Sequence, residues 1–181
     1  MGTTTHLMTA EELFRLPDDG LRHQLIKGEL LTMSPPGEEH GAVTLNLAFL
    51  LAEYVRAKNL GRLYAGDTGF KLESDPDTVL APDIAFIRAE RVGVISKGYR
   101  SGALDLVVEV LSPNDRRRKV DDKARKWLEL GALAVWLVNP RARIVDVRFA
   151  NGAQEVFSED DELTGGEVIP GFRVSVGDIF A

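Results

Sequence analysis

An acidic residue lies inside a strongly apolar segment of this chain. Residues 104–111 are nearly all leucine and valine, which is typical of a strand buried in the centre of a sheet, yet position 109 is a glutamate. An ionised carboxylate without a partner in such a strand strongly destabilises the fold or becomes protonated. Because side chains alternate along a strand, Asp105 and Glu109 share one face, with Val108 on the other. We therefore expect Glu109 to have a specific partner.

A second carboxylate has a similar setting. Asp83 follows Pro82 and begins the apolar segment 84–87. If the two strands are neighbours, Asp83 and Glu109 meet, and a hard cation such as Mg²⁺ removes the repulsion between them while taking oxygen ligands. The alternative is a buried salt bridge, for instance between Glu109 and an arginine on the following helix.

Composition limits the kinds of protein that the chain can be. A length of 181 residues is near the usual size of one domain, so we expect a single domain over residues 1–181. The absence of cysteine excludes thiol catalysis, disulfides and cysteine-bound zinc, and it agrees with a cytoplasmic protein. Residues 1–7 lack the basic and apolar parts of a secretory signal, and no apolar stretch is long enough to predict a membrane span.

Charge is distributed unevenly. A net charge of −6 argues against affinity for nucleic acid over the whole surface. Residues 116–126 are nevertheless rich in arginine and lysine, beginning with Arg116, Arg117, Arg118 and Lys119. This run is either a local positive face or an ordinary solvated helix surface.

The periodicity predicts a mixed α/β chain. A capping box at Thr9 begins a short helix that Pro17 ends, and a β-hairpin turns at Lys27-Gly28. Helices are predicted over about 43–55 and 117–130. Strands are predicted at 62–70, 80–87, 104–111, 134–138 and 144–149, followed by a C-terminal hairpin. Trp127, Trp136 and Phe86 follow the apolar pattern and are expected in the core.

The combination of motifs resembles the Uma-two family of restriction endonuclease-like proteins, in the PD-(D/E)XK nuclease superfamily. The similarity covers nearly the whole chain. The residues that carry it are Pro82-Asp83, 105–113, Lys123, 127–131 and 136–140, together with 25–30, 33–36 and His40.

The resemblance implies a restriction endonuclease-like mixed central sheet flanked by helices, with an N-terminal β-hairpin. It also implies Mg²⁺- or Mn²⁺-dependent hydrolysis of nucleic acid, DNA in particular. Asp83 and Glu109 would be the metal ligands, with the backbone carbonyl of Val110 as a third. The superfamily lysine two places after the second acid is Leu111 here, and Lys123 on the following helix is the matching position, with Lys119 one turn earlier.

Two further residues and one basic run follow from the resemblance. Relatives carry a glutamate where this chain has Gln24, which can bind water or substrate but adds no negative charge to a metal site. His40 is either a proton donor or phosphate contact, or a residue that caps its helix or lies on the surface. The run from Arg116 to Lys119 would contact a phosphate backbone.

Three functions stay open at this level. The first is a metal-dependent endonuclease that hydrolyses phosphodiester bonds. The second is a catalytically inactive protein of the same fold that binds nucleic acid or regulates as a dimer, which Gln24 and Leu111 favour. The third is a structural dimer module that uses the apolar residues 156–180. A homodimer is expected in all three, because exposed strand edges favour pairing.

Overall fold

A computed structural model of the chain describes residues 6–181. Residues 1–5, on which part of the argument against a secretory signal rests, lie outside the described residues. No helix within 6–181 has both the length and the apolar character needed to cross a bilayer.

The described part of the chain contains short strands and four α-helices, with a 3₁₀ turn at Ala89–Arg91. The helices are α1 (Ala10–Phe14), α2 (Glu38–Ala57), α3 (Arg117–Glu129) and α4 (Val176–Ile179). The strands are β1 (Arg22–Ile26), β2 (Glu29–Met33), β3 (Gly61–Ala65), β4 (Phe70–Glu73), β5 (Thr78–Leu80), β6 (Ile84–Arg88), β7 (Arg100–Ser101), β8 (Leu106–Val110), β9 (Ala134–Asn139), β10 (Ile144–Phe149), β11 (Gln154–Ser158), β12 (Glu162–Thr164) and β13 (Arg173–Ser175).

These elements form two compact units. Unit one consists of residues 6–35, Asp67–Ala81 and Val94–Gly102, and unit two consists of Pro36–Gly66, Pro82–Gly93 and Ala103–Ala181. The expectation of one domain over residues 1–181 stays a prediction.

Unit one is a five-stranded sheet in the order β2-β1-β5-β4-β7, and α1 packs on it through Leu13 and Leu25. The predicted hairpin is confirmed, with β1 and β2 antiparallel. Its turn places Lys27 at φ 51° and Gly28 at φ 79°, the left-handed conformation that a two-residue hairpin turn requires. The capping box is also confirmed, since Thr9 Oγ1 accepts the Glu12 N–H and the Glu12 carboxylate accepts the Thr9 N–H.

Unit two is built on a six-stranded sheet in the order β11-β10-β9-β8-β6-β3. Strands β8 and β9 are parallel and the other pairs are antiparallel, so the sheet is mixed, as expected. Helix α2 packs on the face that carries Val108 and Val110. Helix α3 lies over the opposite face, where alternation places Glu109. A small β12–β13 hairpin and α4 complete the unit.

Two predicted strands were wrong in extent. The segment 62–70 is divided into β3 and β4 at Gly66 and Asp67, both of which have positive φ, and such residues cannot continue a strand. The segment 80–87 is divided into β5 and β6 by residues 81–83. In each case the two halves belong to different sheets.

Candidate functional site

Strands β6 and β8 bring the two unusual carboxylates together. The strands are antiparallel neighbours in which Ile84 faces Val108 and Phe86 faces Leu106. Asp83 directly precedes β6, so extending this register by one residue places it opposite Glu109. The condition under which the two acids were expected to meet, that their strands are neighbours, is therefore fulfilled.

Asp83 is held by one backbone group and one imidazole. Its Oδ2 accepts the N–H of Val110 at 2.7 Å and lies 3.2 Å from Nε2 of His40, which is buried in the first turn of α2. Burial by itself would raise the pKa of this carboxyl, which is 6% exposed. The hydrogen bond and charge of His40, the Val110 N–H and the charge of Lys123 outweigh burial, so the pKa lies below its usual range. Asp83 is therefore the acid of the pair that ionises readily.

Glu109 has different partners, both from α3. Its Oε2 accepts a hydrogen bond from Lys123 Nζ at 2.7 Å, and its Oε1 accepts the indole N–H of Trp127 at 2.7 Å. The residue is only 3% exposed, and burial, together with the negative charge of Asp83, raises its pKa against the opposing effect of Lys123. The alternative of a salt bridge from the following helix thus has a lysine as its partner rather than an arginine.

Lys123 reaches the buried pair from the protein surface. Its side chain is 48% exposed, while its ammonium group contacts the buried Glu109. Burial of the ammonium group acts to lower its pKa, but the charge and hydrogen bond of Glu109 outweigh this effect and raise it. Lys123 is therefore a protonated donor at neutral pH, so it is suited to orienting and charge stabilisation rather than to removing a proton from water.

The sequence interpretation missed three contacts of the two acids, among them the 3.2 Å contact of His40 with Asp83. Trp127 is buried, as predicted, but it is also a hydrogen-bond donor to Glu109, and the backbone N–H of Val110 binds Asp83. The sequence did contain a signal for the contact between Trp127 and Glu109. Lys123 and Trp127 are four residues apart on one helix and so face the same way, and a buried indole N–H needs an acceptor.

Other predicted residues lie outside this hydrogen-bonded group. Gln24 belongs to unit one, where it is buried and donates from Nε2 to the carbonyl of Ala81 at 3.1 Å. The basic residues Arg116, Arg117, Arg118 and Lys119 are exposed at the start of α3. Leu111, at the position of the superfamily lysine, lines a pocket of about 360 Å³ with Leu137 and Val120.

The donor set of Asp83 and Glu109 suits a small, hard cation. Mg²⁺ prefers oxygen ligands and is commonly held by only one or two carboxylates, with water completing its shell. Residues 6–181 contain no group of three or more histidine, cysteine or acidic residues that could hold a metal ion. An ion at this pair therefore has at most two protein carboxylates as ligands, and the Val110 backbone lies beside Asp83.

Asp105, on the same strand face as Glu109, has a structural environment of its own. It is buried, and its carboxylate accepts the N–H of Arg88 at 2.9 Å and pairs with Arg91 Nη1 at 2.5 Å. Since Arg91 also donates to the Ala103 carbonyl, this pair ties the end of β6 to the start of β8.

Comparison with known proteins agrees with this architecture. A crystal structure described as a "putative nuclease belonging to DUF820 from Anabaena variabilis ATCC 29413" superposes with a TM-score of 0.80 at 22% sequence identity, over 96% of this chain and 97% of that chain. At this identity the similarity shows the fold, and it confirms the expected nuclease-like mixed sheet flanked by helices. No curated protein matches the chain.

The sequence model of one family matches nearly the whole chain. Residues 10–177 match the family Uma2, which is described as "Putative restriction endonuclease". The match includes both strand carboxylates, His40, Lys123 and Trp127. The chain belongs to the Uma2 family of restriction endonuclease-like proteins.

Proposed function

We propose that the chain is a metal-dependent endonuclease that hydrolyses phosphodiester bonds of nucleic acid, DNA in particular. One observation carries this proposal: the buried carboxylates Asp83 and Glu109 lie at neighbouring strands and Lys123 donates to Glu109, in a chain whose family is described as "Putative restriction endonuclease". Two acids and a lysine are the residue types that metal-assisted phosphoryl transfer uses. Action in the cytoplasm is part of the proposal.

In this proposal Asp83, Glu109 and the Val110 carbonyl hold Mg²⁺ or Mn²⁺. The ion supplies Lewis acidity toward the phosphate and lowers the pKa of a bound water. His40 fixes the orientation of Asp83 through Nε2, as Trp127 does for Glu109. Lys123 orients the attacking water and stabilises the charge that develops on the phosphate, which a protonated amine can do without losing its proton.

Substrate contacts come from residues around this group. Arg116, Arg117, Arg118 and Lys119 are exposed cations at the start of the helix that carries Lys123, and they contact the phosphate backbone in this proposal. Gln24 binds water or substrate. The enzyme acts as a homodimer.

One observation favours the second function, a catalytically inactive nucleic-acid-binding or regulatory dimer. Both carboxylate oxygens of Glu109 already accept hydrogen bonds from Lys123 and Trp127, and Leu111 replaces the strand lysine. A metal ion has to compete with these donors for Glu109. The two functions differ in their need for metal, since a binding protein keeps its affinity for nucleic acid when divalent ions are removed.

Cleavage of circular DNA, linear DNA and RNA by the full chain tests the proposal. We expect cutting in Mg²⁺ or Mn²⁺ that EDTA abolishes and that is lost in Asp83→Asn and Glu109→Gln. Lys123→Met should slow cutting by about 100-fold, because it removes one donor that stabilises the developing charge. Lys126→Met, which removes a positive charge from the same helix without touching Glu109, is the matched control.

Two outcomes would contradict an enzyme. The first is absence of cutting on every substrate in either metal. The second is cutting that both acid variants retain, because a contaminating nuclease would then explain it.

A further inference from the structure

Helix α2 has one buried face and one face that nothing in the described chain covers. Its inward residues Val43, Leu47, Leu51 and Val55 pack in the core of unit two. On its outer face, Leu45 is 69% exposed and Phe49 is 65% exposed, one helical turn apart. Two large apolar side chains so placed on one helix face are typical of a surface that meets a partner.

The exposed apolar pair belongs to a regular seam. The residues of this outer seam are separated by alternating steps of four and three positions, the spacing of a helix that packs along another helix. They are Glu38, Ala42, Leu45, Phe49, Ala52 and Arg56. All are exposed except Ala52, which is half-buried.

The outer seam is complementary to itself when reversed. The pairs Glu38 and Arg56, Ala42 and Ala52, and Leu45 and Phe49 are all centred on position 47. Consider two antiparallel α2 helices whose outer seams face each other across a twofold axis at the level of residue 47. Each Glu38 then faces the partner's arginine. The small residues face one another, and each leucine faces a phenylalanine. Such an isologous contact satisfies both charges and covers the apolar centre.

We propose that the outer seam of α2 is the interface at which two copies of this chain associate. The charge pattern selects a second copy as the occupant, because the opposite charges lie at the two ends of the same helix. This interface differs from the exposed strand edges and the apolar residues 156–180 that the sequence favoured.

The proposal rests on the homodimer of the proposed function but not on catalysis. It is therefore tested without metal and without nucleic acid, by sedimentation of the full chain over a range of concentrations. If the chain does not cleave nucleic acid, the sedimentation result is unaffected. If the chain does not associate through α2, the cleavage assay can still be interpreted. The wild-type chain should sediment with a mass twice the 19.9 kDa of a single chain.

The first variants remove the apolar centre. Leu45→Ser with Phe49→Ser should weaken association by about 100-fold or more, since each residue occurs twice in a twofold interface. Val156→Ser is the matched control, because Val156 is an exposed apolar residue on β11, the edge strand of the sheet. The control should associate like wild type.

The second set of variants exchanges the charges at the two ends of the seam. Rescue by the double variant separates a loss of association from a loss of folding. Glu38→Arg alone and Arg56→Glu alone should each weaken association several-fold, because each places like charges opposite one another. The double variant Glu38→Arg with Arg56→Glu should restore it. A monomeric wild type, a dimer that survives loss of Leu45 and Phe49, a dimer that Val156→Ser disrupts, or no rescue by the charge exchange would each overturn the proposal.

Discussion

The two acids of the candidate site differ in their immediate partners. Asp83 is paired with a backbone N–H and an imidazole, whereas Glu109 is paired with an ammonium group and an indole N–H. Burial would raise the pKa of Asp83, but its contacts outweigh burial and lower it. The pKa of Glu109 is raised by burial and by the charge of Asp83, even though Lys123 and Trp127 act to lower it. Removing any one of these partners leaves a buried carboxylate under-bonded, which is costly in a nonpolar environment.

The Trp127 contact with Glu109 can be measured on its own. Trp127→Phe keeps an aromatic ring but removes the indole donor, and hydrogen bonds to charged groups contribute about 1.5–3 kcal/mol. We expect the free energy of unfolding in urea to fall by that amount beyond the loss of ring volume. Trp136→Phe supplies the volume effect, since Trp136 is equally buried and packs against Phe172. Equal losses in the two variants would refute the assigned role of this hydrogen bond.

Asp77 in unit one gives a pH-dependent contribution to stability. Its carboxylate pairs with Lys71 at 2.7 Å and accepts the N–H of Ala10, the first residue of α1, at 2.7 Å. The Lys71 hydrogen bond and the Ala10 N–H lower the pKa of Asp77 below its usual 3.8, despite the opposing effect of burial. Because the pKa is lower in the folded state, the ionised group stabilises the fold above pH 3.8, and this contribution is lost as the pH falls through the folded-state pKa.

Asp77→Asn should therefore be destabilised most at neutral pH. The difference in unfolding free energy from wild type should shrink as the pH is lowered below 3.8, when measured by urea unfolding at a series of pH values. A difference that stays constant across this range would show that Asp77 acts without its charge.

At the scale of elements, α3 supplies both side-chain partners of Glu109. Its residues Lys123 and Trp127, one turn apart, both bind Glu109, and its first turn carries the exposed arginines. The position of this helix over the sheet therefore fixes the side chain of Glu109. Gly131, at φ 95°, ends the chain's helical path after Glu129 and allows it to turn into β9.

Gly131→Ala tests how far the site depends on this helix end. A Cβ at position 131 would lie 2.8 Å from the Cβ of Ala103, and the positive φ is strained for alanine. We expect a loss of about 1–3 kcal/mol in stability, together with reduced activity if α3 shifts. Gly98→Ala, where a Cβ meets nothing within 4 Å, should have little effect on the unfolding midpoint. A Gly131 variant as stable as the Gly98 variant would contradict this account.

Elements with strong local signals could be predicted from the sequence. The hairpin at Lys27-Gly28, the capping box at Thr9 and α3 all formed where local chemistry placed them. The predicted extents of the strands at 62–70 and 80–87 were wrong, because an apolar pattern does not show where the chain passes from one sheet to another. Gly66-Asp67 and Pro82 are the local breaks that the apolar pattern concealed.

The candidate site could be predicted only in part from the sequence. Asp83 and Glu109 were recognisable because each is an acid beside or within an apolar strand, and their adjacency follows from the pairing of β6 with β8. The Val110 N–H to Asp83 bond was not predictable, because it depends on how the end of one strand meets the residue before another. The roles of Lys123, His40, Gln24 and Lys119 in catalysis stay predictions.

For the molecule as a whole, charge sets the conditions for function. The net charge is −6, so an affinity for nucleic acid has to be local, and the exposed cations that begin α3 are the part of the described chain that the proposal uses for it. A divalent ion at Asp83 and Glu109 would reduce the negative charge of the site. Metal binding is therefore the property on which the whole account depends.

Calorimetric titration of Mn²⁺ into the full chain, in the absence of nucleic acid, measures that property most directly. We predict saturable binding by the wild type that is lost in Asp83→Asn and in Glu109→Gln. Asp77→Asn, which alters a buried carboxylate of unit one, is the control and should bind like wild type. Absence of binding by the wild type, or binding that Asp83→Asn retains, would contradict the claim that these two acids form a metal site.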